Sequence, residues 1–391
     1  MATIPTRTVE RQDSASMGGR HFARPPAPPG YTLTHVRALD GLRGAAVAAV
    51  LLFHGDLLKG GFLGVDLFFV LSGFLITSVL LAETRNGRID LARFWSRRAR
   101  RLLPALALVL LAVAVYALVF AHADELGRIR DDGLATTFYF ANWRAVFATQ
   151  SYWDLFARPS PLEHTWSLAI EEQFYVVWPL VLAGLAAWRA RAGRAIAPAA
   201  FTLSCGLALA SFVAMVTLYR PGDTNRVYFG TDTRAASILI GAALAALLAW
   251  RGHVRSPRAN RALQSSALVG AAVLAITWTR FDGTSAPVYR GGFALGAVAA
   301  AVVIAAVTAP GHGVVGRFLS VRPLVGLGVI SYGVYLWHWP IFVTLDASRI
   351  HVSGWPLFAL RVAITLAFSV ASYFLVERPI RRGAFRAVTL R

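Results

Sequence analysis

The chain has 391 residues, of which 56% are hydrophobic and only 15% charged, and it carries a formal net charge of +19. Its mean hydropathy of +0.55 excludes an ordinary water-soluble domain and predicts an integral membrane protein. The positive charge would suit a nucleic-acid binder, but the basic residues gather in alternate loops between apolar runs, which is a signature of membrane topology.

Residues 1–36 are polar and rich in Pro and Gly, including Pro25-Pro26-Ala27-Pro28-Pro29-Gly30. They contain no apolar core of a signal peptide, so the expectation is a disordered cytoplasmic tail. Apolar runs long enough to cross a bilayer then recur at roughly 38–57, 62–82, 102–121, 167–188, 200–219, 234–250, 264–280, 291–309, 326–345 and 356–376. They predict an all-α bundle of about ten transmembrane helices in one domain over 37–382, followed by a short cytoplasmic tail at 383–391. Arginines collect at 85–101, 189–194, 251–261, 317–322 and 378–391, whereas the intervening loops hold Asp124, Glu125, Asp131, Asp132, Asp223, Asp232 and Asp282. The positive-inside rule therefore places both termini in the cytoplasm.

In the first run, Arg43 and His54 stand eleven residues apart with no ionisable residue between them. At about 100° per residue they share one helix face, about 16 Å apart along the axis. The next run opens with Gly60-Gly61-Phe62-Leu63-Gly64-Val65-Asp66. A tight hairpin symmetric about Gly60 would put Asp66 opposite His54 and Thr77 opposite Arg43. Ionisable groups inside a membrane cost about 2.5–3.5 kcal/mol each on insertion scales, so such a trio calls for a functional reason. Ser72-Gly73-Phe74 in the middle of the second run permits close helix approach and offers a hydroxyl across the interface.

Segment 89–101 is amphipathic, with Asp90 as a predicted N-cap and Arg93, Arg97, Arg100 and Arg101 opposite an apolar face; Arg98 lies at the border. Pro104 is expected to start the third span. The loop 122–166 carries Phe138, Tyr139, Phe140, Trp143, Tyr152, Trp153 and Phe156, and its length and aromatics predict that it folds back onto the bundle. Glu171, Glu172 and Gln173 open the fourth span. Arg234 starts the sixth, with Asp232 as the expected cap. Trp337-His338-Trp339-Pro340 lies in the ninth, where His338 is placed to line the same cavity as His54. Cys205 is alone, which excludes a disulfide framework, and the histidines show no HxxxH or HExxH spacing, so no metal site is expected.

A histidine with a carboxylate on its other nitrogen suits removal of a proton from an alcohol as that alcohol attacks a carbonyl. No Ser-His-Asp signature accompanies it, which favours direct transfer over a serine intermediate. Arg98 and Arg101, three residues apart beside the membrane, fit a clamp for the phosphates of a cytosolic donor; attraction to anionic lipid explains the same charges. Polar residues on one helix face equally suit a transporter or flippase of a polar substrate, although no repeat relates 38–190 to 200–376. A lipid-binding scaffold without chemistry is a third class.

Several stretches together resemble acyltransferase family 3, the bacterial integral membrane O-acyltransferases. They are Arg37-Ala-Leu-Asp-Gly-Leu-Arg-Gly44, the Arg43-to-His54 spacing, Gly64-Val-Asp-Leu-Phe-Phe-Val-Leu-Ser-Gly-Phe-Leu75, Arg97-Arg-Ala-Arg-Arg-Leu-Leu-Pro104, His164-Thr-Trp-Ser-Leu-Ala-Ile-Glu-Glu-Gln-Phe-Tyr175, Ser331-Tyr-Gly-Val-Tyr-Leu-Trp-His338 and Glu377-Arg-Pro379. Each fragment alone is weak, but their order from about residue 35 to 382 is specific. The resemblance implies transfer of an acyl group, acetyl or another short one, from cytosolic acyl-CoA to a hydroxyl of a carbohydrate, glycolipid or macrolide, in the bacterial cytoplasmic membrane. Acyl-CoA enters as donor substrate, with no permanently bound cofactor and no nucleic-acid partner. Arg43 and His54 match the family's arginine–histidine motif; Asp66, Arg98, Arg101, Glu171, Glu172 and Arg234 fall in other motif regions. Many members carry a C-terminal esterase-like domain; a single-domain member is expected here. The candidate catalytic residues are His54, Asp66 and Arg43, the donor-binding residues Arg98 and Arg101, and the substrate-binding residues Glu171, Glu172, Arg234, His338 and Ser72.

Overall fold

The computed structural model describes residues 35–382 apart from 86, 148–158 and 312. The expected terminal tails, apart from His35 and Val36, lie outside the described residues, as do Tyr152, Trp153 and Phe156. The helices in chain order are α1 (Arg37–His54), α2 (Gly64–Thr84), α3 (Leu91–Val119), α4 (Ala123–Thr137), α5 (Ala141–Val146), α6 (Trp166–Arg191), α7 (Ile196–Leu218), α8 (Asn225–Phe229) and α9 (Thr231–Arg251). They continue with α10 (Pro257–Arg280), α11 (Phe293–Thr308), α12 (Val314–Leu319), α13 (Arg322–Val329), α14 (Ser331–Thr344), α15 (Ala347–Ile350), α16 (Gly354–Ser372) and α17 (Arg378–Arg381). No named strand occurs among the described residues.

Among the described residues, eight helical segments are long and apolar enough to cross a bilayer, and a ninth arises if α13 and α14, bent by 73°, are taken as one span. The remaining expected span is α1, whose 18 residues include Arg37, Asp40 and Arg43; those charges keep it from being apolar enough. The protein is thus an all-α integral membrane bundle. Its helices sort by burial. The spans containing α2 and α9 are 72% and 61% buried, whereas those containing α7 and α16 are 22% and 17% buried. The outer helices turn Leu111, Leu118, Leu209, Val269 and Leu375 outward, as expected where lipid replaces a packed neighbour.

Glycines set the inner contacts. A Cβ on Gly73 would stand 1.8 Å from the Ile238 carbonyl oxygen, and one on Gly241 would stand 2.0 Å from that of Val70. The α2 and α9 backbones therefore touch through a reciprocal pair of glycines, the close approach anticipated at Gly73. Gly41 and Gly328 do the same for α1, against Leu319 and Asp40. Between α1 and α2, Gly61 meets Ala49 and Gly64 meets Ala46. This register corrects the symmetric hairpin: two residues beyond Gly64, Asp66 lies level with Gly44, roughly 15 Å along the axis from His54. Thr77 is likewise not opposite Arg43; its hydroxyl accepts from Trp178 Nε1 at 2.8 Å.

Asp90 caps α3 by accepting from the Arg93 N–H at 3.0 Å. The expected break before the third span is absent. The amphipathic segment and the span form one 29-residue helix with Pro104 inside it. Within loop 122–166, α4 and α5 do fold onto the bundle: buried Asn142 donates to the Phe229 carbonyl at 3.0 Å and to Thr231 at 2.9 Å, and Gln173 donates to Asn142. Asp232 is not the cap of α9; it holds Arg226 through two bonds of 2.9 and 2.6 Å.

Candidate functional site

The α1 stripe opens into two separate cavities, one at each of its polar residues. Arg43 lines an inner cavity of about 90 Å³ together with Ser72, Arg98, Arg101, Glu171 and Tyr175. Helix α3 delivers its two arginines because residues three apart share a face. Their neighbours point elsewhere: Arg97 pairs with Glu83 at 2.5 Å on the surface, and Arg100 turns back to the Ser96 carbonyl. The opposite wall is a relay. Tyr175 donates to Ser72 Oγ at 2.8 Å, and Ser72 donates to Glu171 Oε1 at 2.9 Å. The Arg98 guanidinium lies 3.7 Å over the Tyr175 ring, a cation–π contact. Three guanidinium groups therefore face one lining carboxylate, and Nε of both Arg43 and Arg98 is buried without a hydrogen-bond partner. That donor surplus is the electrostatic profile of an anion site.

His54 lines a different and larger cavity of about 450 Å³, with Trp339, His122, Arg128, Arg349 and Arg361 among its walls. His54 Nδ1 lies 3.0 Å from the Val50 carbonyl and 3.2 Å from His338 Nε2. His338 Nδ1 lies 2.6 Å from the Tyr335 carbonyl. A carbonyl only accepts, so His338 carries its proton on Nδ1 and its Nε2 accepts from His54 Nδ1–H. That assignment leaves Nε2 as the basic atom of the His54 imidazole. The Trp339 ring packs on His54 with centroids 4.6 Å apart, and His164 packs on His338 at 5.3 Å. Among the described residues no group of His, Cys, Asp or Glu is arranged to hold a metal ion.

Asp66 does not serve His54. Its Oδ2 accepts from Arg234 at 2.9 Å and its Oδ1 from Ser237 at 2.9 Å. Both side chains of the Asp66–Arg234 pair are buried, and the Arg234 guanidinium lies 3.9 Å over Phe293. Arg234 lines neither cavity, and neither does Glu172, whose Oε1 is buried without a partner. The structure thus gathers Arg43, Arg98, Arg101, Glu171 and Ser72 at one cavity and sets Asp66, Arg234 and Glu172 apart from both; His338 does not line the His54 cavity as expected but bonds to His54 from behind its wall. Tyr175, Tyr335, His164 and Trp339 join the two sites beyond the residues that the sequence marks as candidates. Trp339 adjoins His338 in a span, and that adjacency was the available signal.

A family profile described as an acyltransferase domain matches residues 36–374. The chain is 40% identical over 365 residues to a peptidoglycan O-acetyltransferase, OatA, of Listeria monocytogenes, covering 91% of this chain and 57% of that protein. It is 41% identical over 370 residues to a putative peptidoglycan O-acetyltransferase, YrhL, of Bacillus subtilis (91% and 56%), and 36% identical over 368 residues to an O-acetyltransferase, OatA, of Staphylococcus aureus (91% and 59%). The chain spans less than two thirds of the length of these relatives. No solved structure is significantly similar to it.

Proposed function

The chain belongs to acyltransferase family 3, and from that premise we propose that it moves an acyl group, acetyl or another short one, from cytosolic acyl-CoA to a hydroxyl of a carbohydrate. The observation that carries this reading is the placement of Arg43 and His54 on one helix but in two cavities, cationic at one end and histidine-lined at the other. The phosphates of the donor sit at Arg43, Arg98 and Arg101, and both termini share that side of the membrane, the cytoplasm. The pantetheine arm passes Ser72 and Ser167 toward His54. The inner cavity, at about 90 Å³, is small against the usual ligand pocket of about 300–1,000 Å³, so Tyr335 has to move aside. Its hydroxyl is held by Ser167 at 2.5 Å and by the His164 carbonyl at 2.9 Å.

At the far end the acceptor hydroxyl oxygen attacks the thioester carbonyl carbon while the basic nitrogen of His54 takes its proton. The tetrahedral oxyanion collapses, the C–S bond breaks, and the departing thiolate takes the proton from the imidazolium. The new ester stays with the acceptor. His338 is a positioning residue that sets the His54 tautomer. Peptidoglycan in the names of the relatives favours a glycan over a macrolide as acceptor.

The donor half of this reading is tested by Arg98→Gln with Arg101→Gln. Each charge-assisted bond is worth about 1.5–3 kcal/mol, so the KM for acetyl-CoA rises at least about tenfold, while the KM for the acceptor stays near wild type. An unchanged acetyl-CoA KM in a well-folded double variant would remove the arginines from the donor site.

A further inference from the structure

A third concavity, about 280 Å³ and almost wholly apolar, lies between α3, α14 and α16, lined by Ala112, Val115, Phe120, Trp337, Ile341 and Ile364. It adjoins the His54 cavity, because Tyr116 and Pro161 line both. Tyr116 forms the seam. Its ring belongs to the apolar groove, and its hydroxyl accepts from Arg349 Nη1 at 3.2 Å. Beyond the seam the walls are ionic, with Arg128, Arg349 and Arg361 alternating with Asp56, Glu125 and Asp346. Ser348, through its hydroxyl and its N–H, holds the Asp346 carboxyl below its ordinary value, so that wall remains charged. The groove opens to the outer face of the bundle, where Val115, Phe120 and Phe368 are each about half exposed or more. From Ala112 to Phe120 it runs about 12 Å along α3.

We propose that this groove seats the hydrocarbon chain of a lipid-linked saccharide, whose sugar head fills the His54 cavity. Neither half alone explains the pair. A free sugar has no use for an apolar slot of this size, and a simple membrane lipid has no use for a deep ionic chamber ending at a histidine. An amphipathic acceptor matches both surfaces and the sharp change between them at Tyr116. It also approaches laterally from the bilayer, so its hydroxyl reaches His54 without a long polar route. The inference rests on the reading of the His54 cavity as the acceptor site.

The test uses the full chain in lipid nanodiscs and two photoreactive probes, a hexadecyl glucoside with a mid-chain diazirine and a methyl glucoside with the same group. After illumination, labelled peptides are mapped by mass. The hexadecyl probe is expected to label Ala112–Phe120 and Trp337–Leu345, and Ile364→Trp or Ala112→Phe, which fill the groove, should lower that labelling about tenfold. Val269→Trp, on the exposed face of α10, should leave it unchanged. Labelling spread evenly over the exposed apolar helices, as for bulk lipid, or insensitive to both filling variants, would overturn the proposal. So would cross-linked dimers, which would make the groove a contact between copies. Binding is read without turnover, so this outcome is independent of whether acyl transfer through His54 stands.

Discussion

Replacing His54 by Ala is expected to lower acyl transfer by about 10²–10⁴-fold, the usual contribution of a positioned general base. That loss equals about 3–5 kcal/mol of transition-state stabilisation. The KM for acetyl-CoA should barely move, because the arginines proposed to hold the donor are three helical turns away at Arg43 or across on α3. The fold should also survive. His54 is the last residue of α1 and is only partly buried, so its truncation opens toward an existing cavity and not into the core. His338 acts through His54 by accepting its Nδ1 proton at 3.2 Å. His338→Ala should therefore cost less than His54→Ala, and the double variant should be no slower than His54→Ala alone, as for residues that act as one unit. Initial rates with labelled acetyl-CoA, with monodispersity checked in detergent, provide the measurement. A His54→Ala protein that inserts correctly and turns over at the wild-type rate would end the general-base reading.

The second large effect falls on stability. Asp66→Ala would leave the Arg234 guanidinium buried without its counter-charge, a change that costs about 3–5 kcal/mol in buried pairs. Ser237 would lose its acceptor as well. The expected result is a protein that aggregates or melts at markedly lower temperature in detergent. Asp66→Leu combined with Arg234→Met should recover much of that loss, since replacing both partners of a buried pair by apolar groups is often close to neutral. If Asp66→Ala kept the wild-type melting temperature yet lost acyl transfer, the carboxylate would belong to the chemistry instead, and its bond to Arg234 would be incidental.

The parts of this site that could be read in the chain are those fixed by one helix. The shared face of Arg43 and His54 follows from helical period alone. The choice of Arg98 and Arg101 follows from three-residue spacing at the membrane edge, and both reach the inner cavity. The partners across helices could not be read this way. Asp66 finds Arg234 at a separation of 168 residues, and His54 finds His338 at 284. The length of the turn between α1 and α2 by itself implies a symmetric hairpin. In the structure, Gly61–Leu63 forms an extra 3-10 turn and the Gly60 N–H is held by the Trp278 carbonyl at 2.8 Å, so the register moves and Asp66 faces α9. Close approach of Gly73 to the Ile238 backbone and of Gly241 to the Val70 backbone fixes that orientation. The same logic explains Pro104. A proline usually marks a helix start, yet here α3 continues through it, and Tyr332 packs close by, donating to the Leu102 carbonyl at 3.1 Å. The count of spans was nearly legible, with α1 the ambiguous one because the arginine that marks the site is also what lowers its hydropathy.

The central claim is that donor and acceptor meet from opposite ends of α1, with acyl-CoA entering beside Arg43. Sealed vesicles of opposite orientation, each containing the full chain, test it directly when membrane-impermeant acetyl-CoA is supplied outside and release of CoA is followed in the presence of a glycan acceptor. The account predicts turnover only in vesicles whose arginine-rich face, bearing Arg98 and Arg101, is turned outward, and none in the opposite orientation. Turnover confined to vesicles that expose the His54 cavity would contradict it.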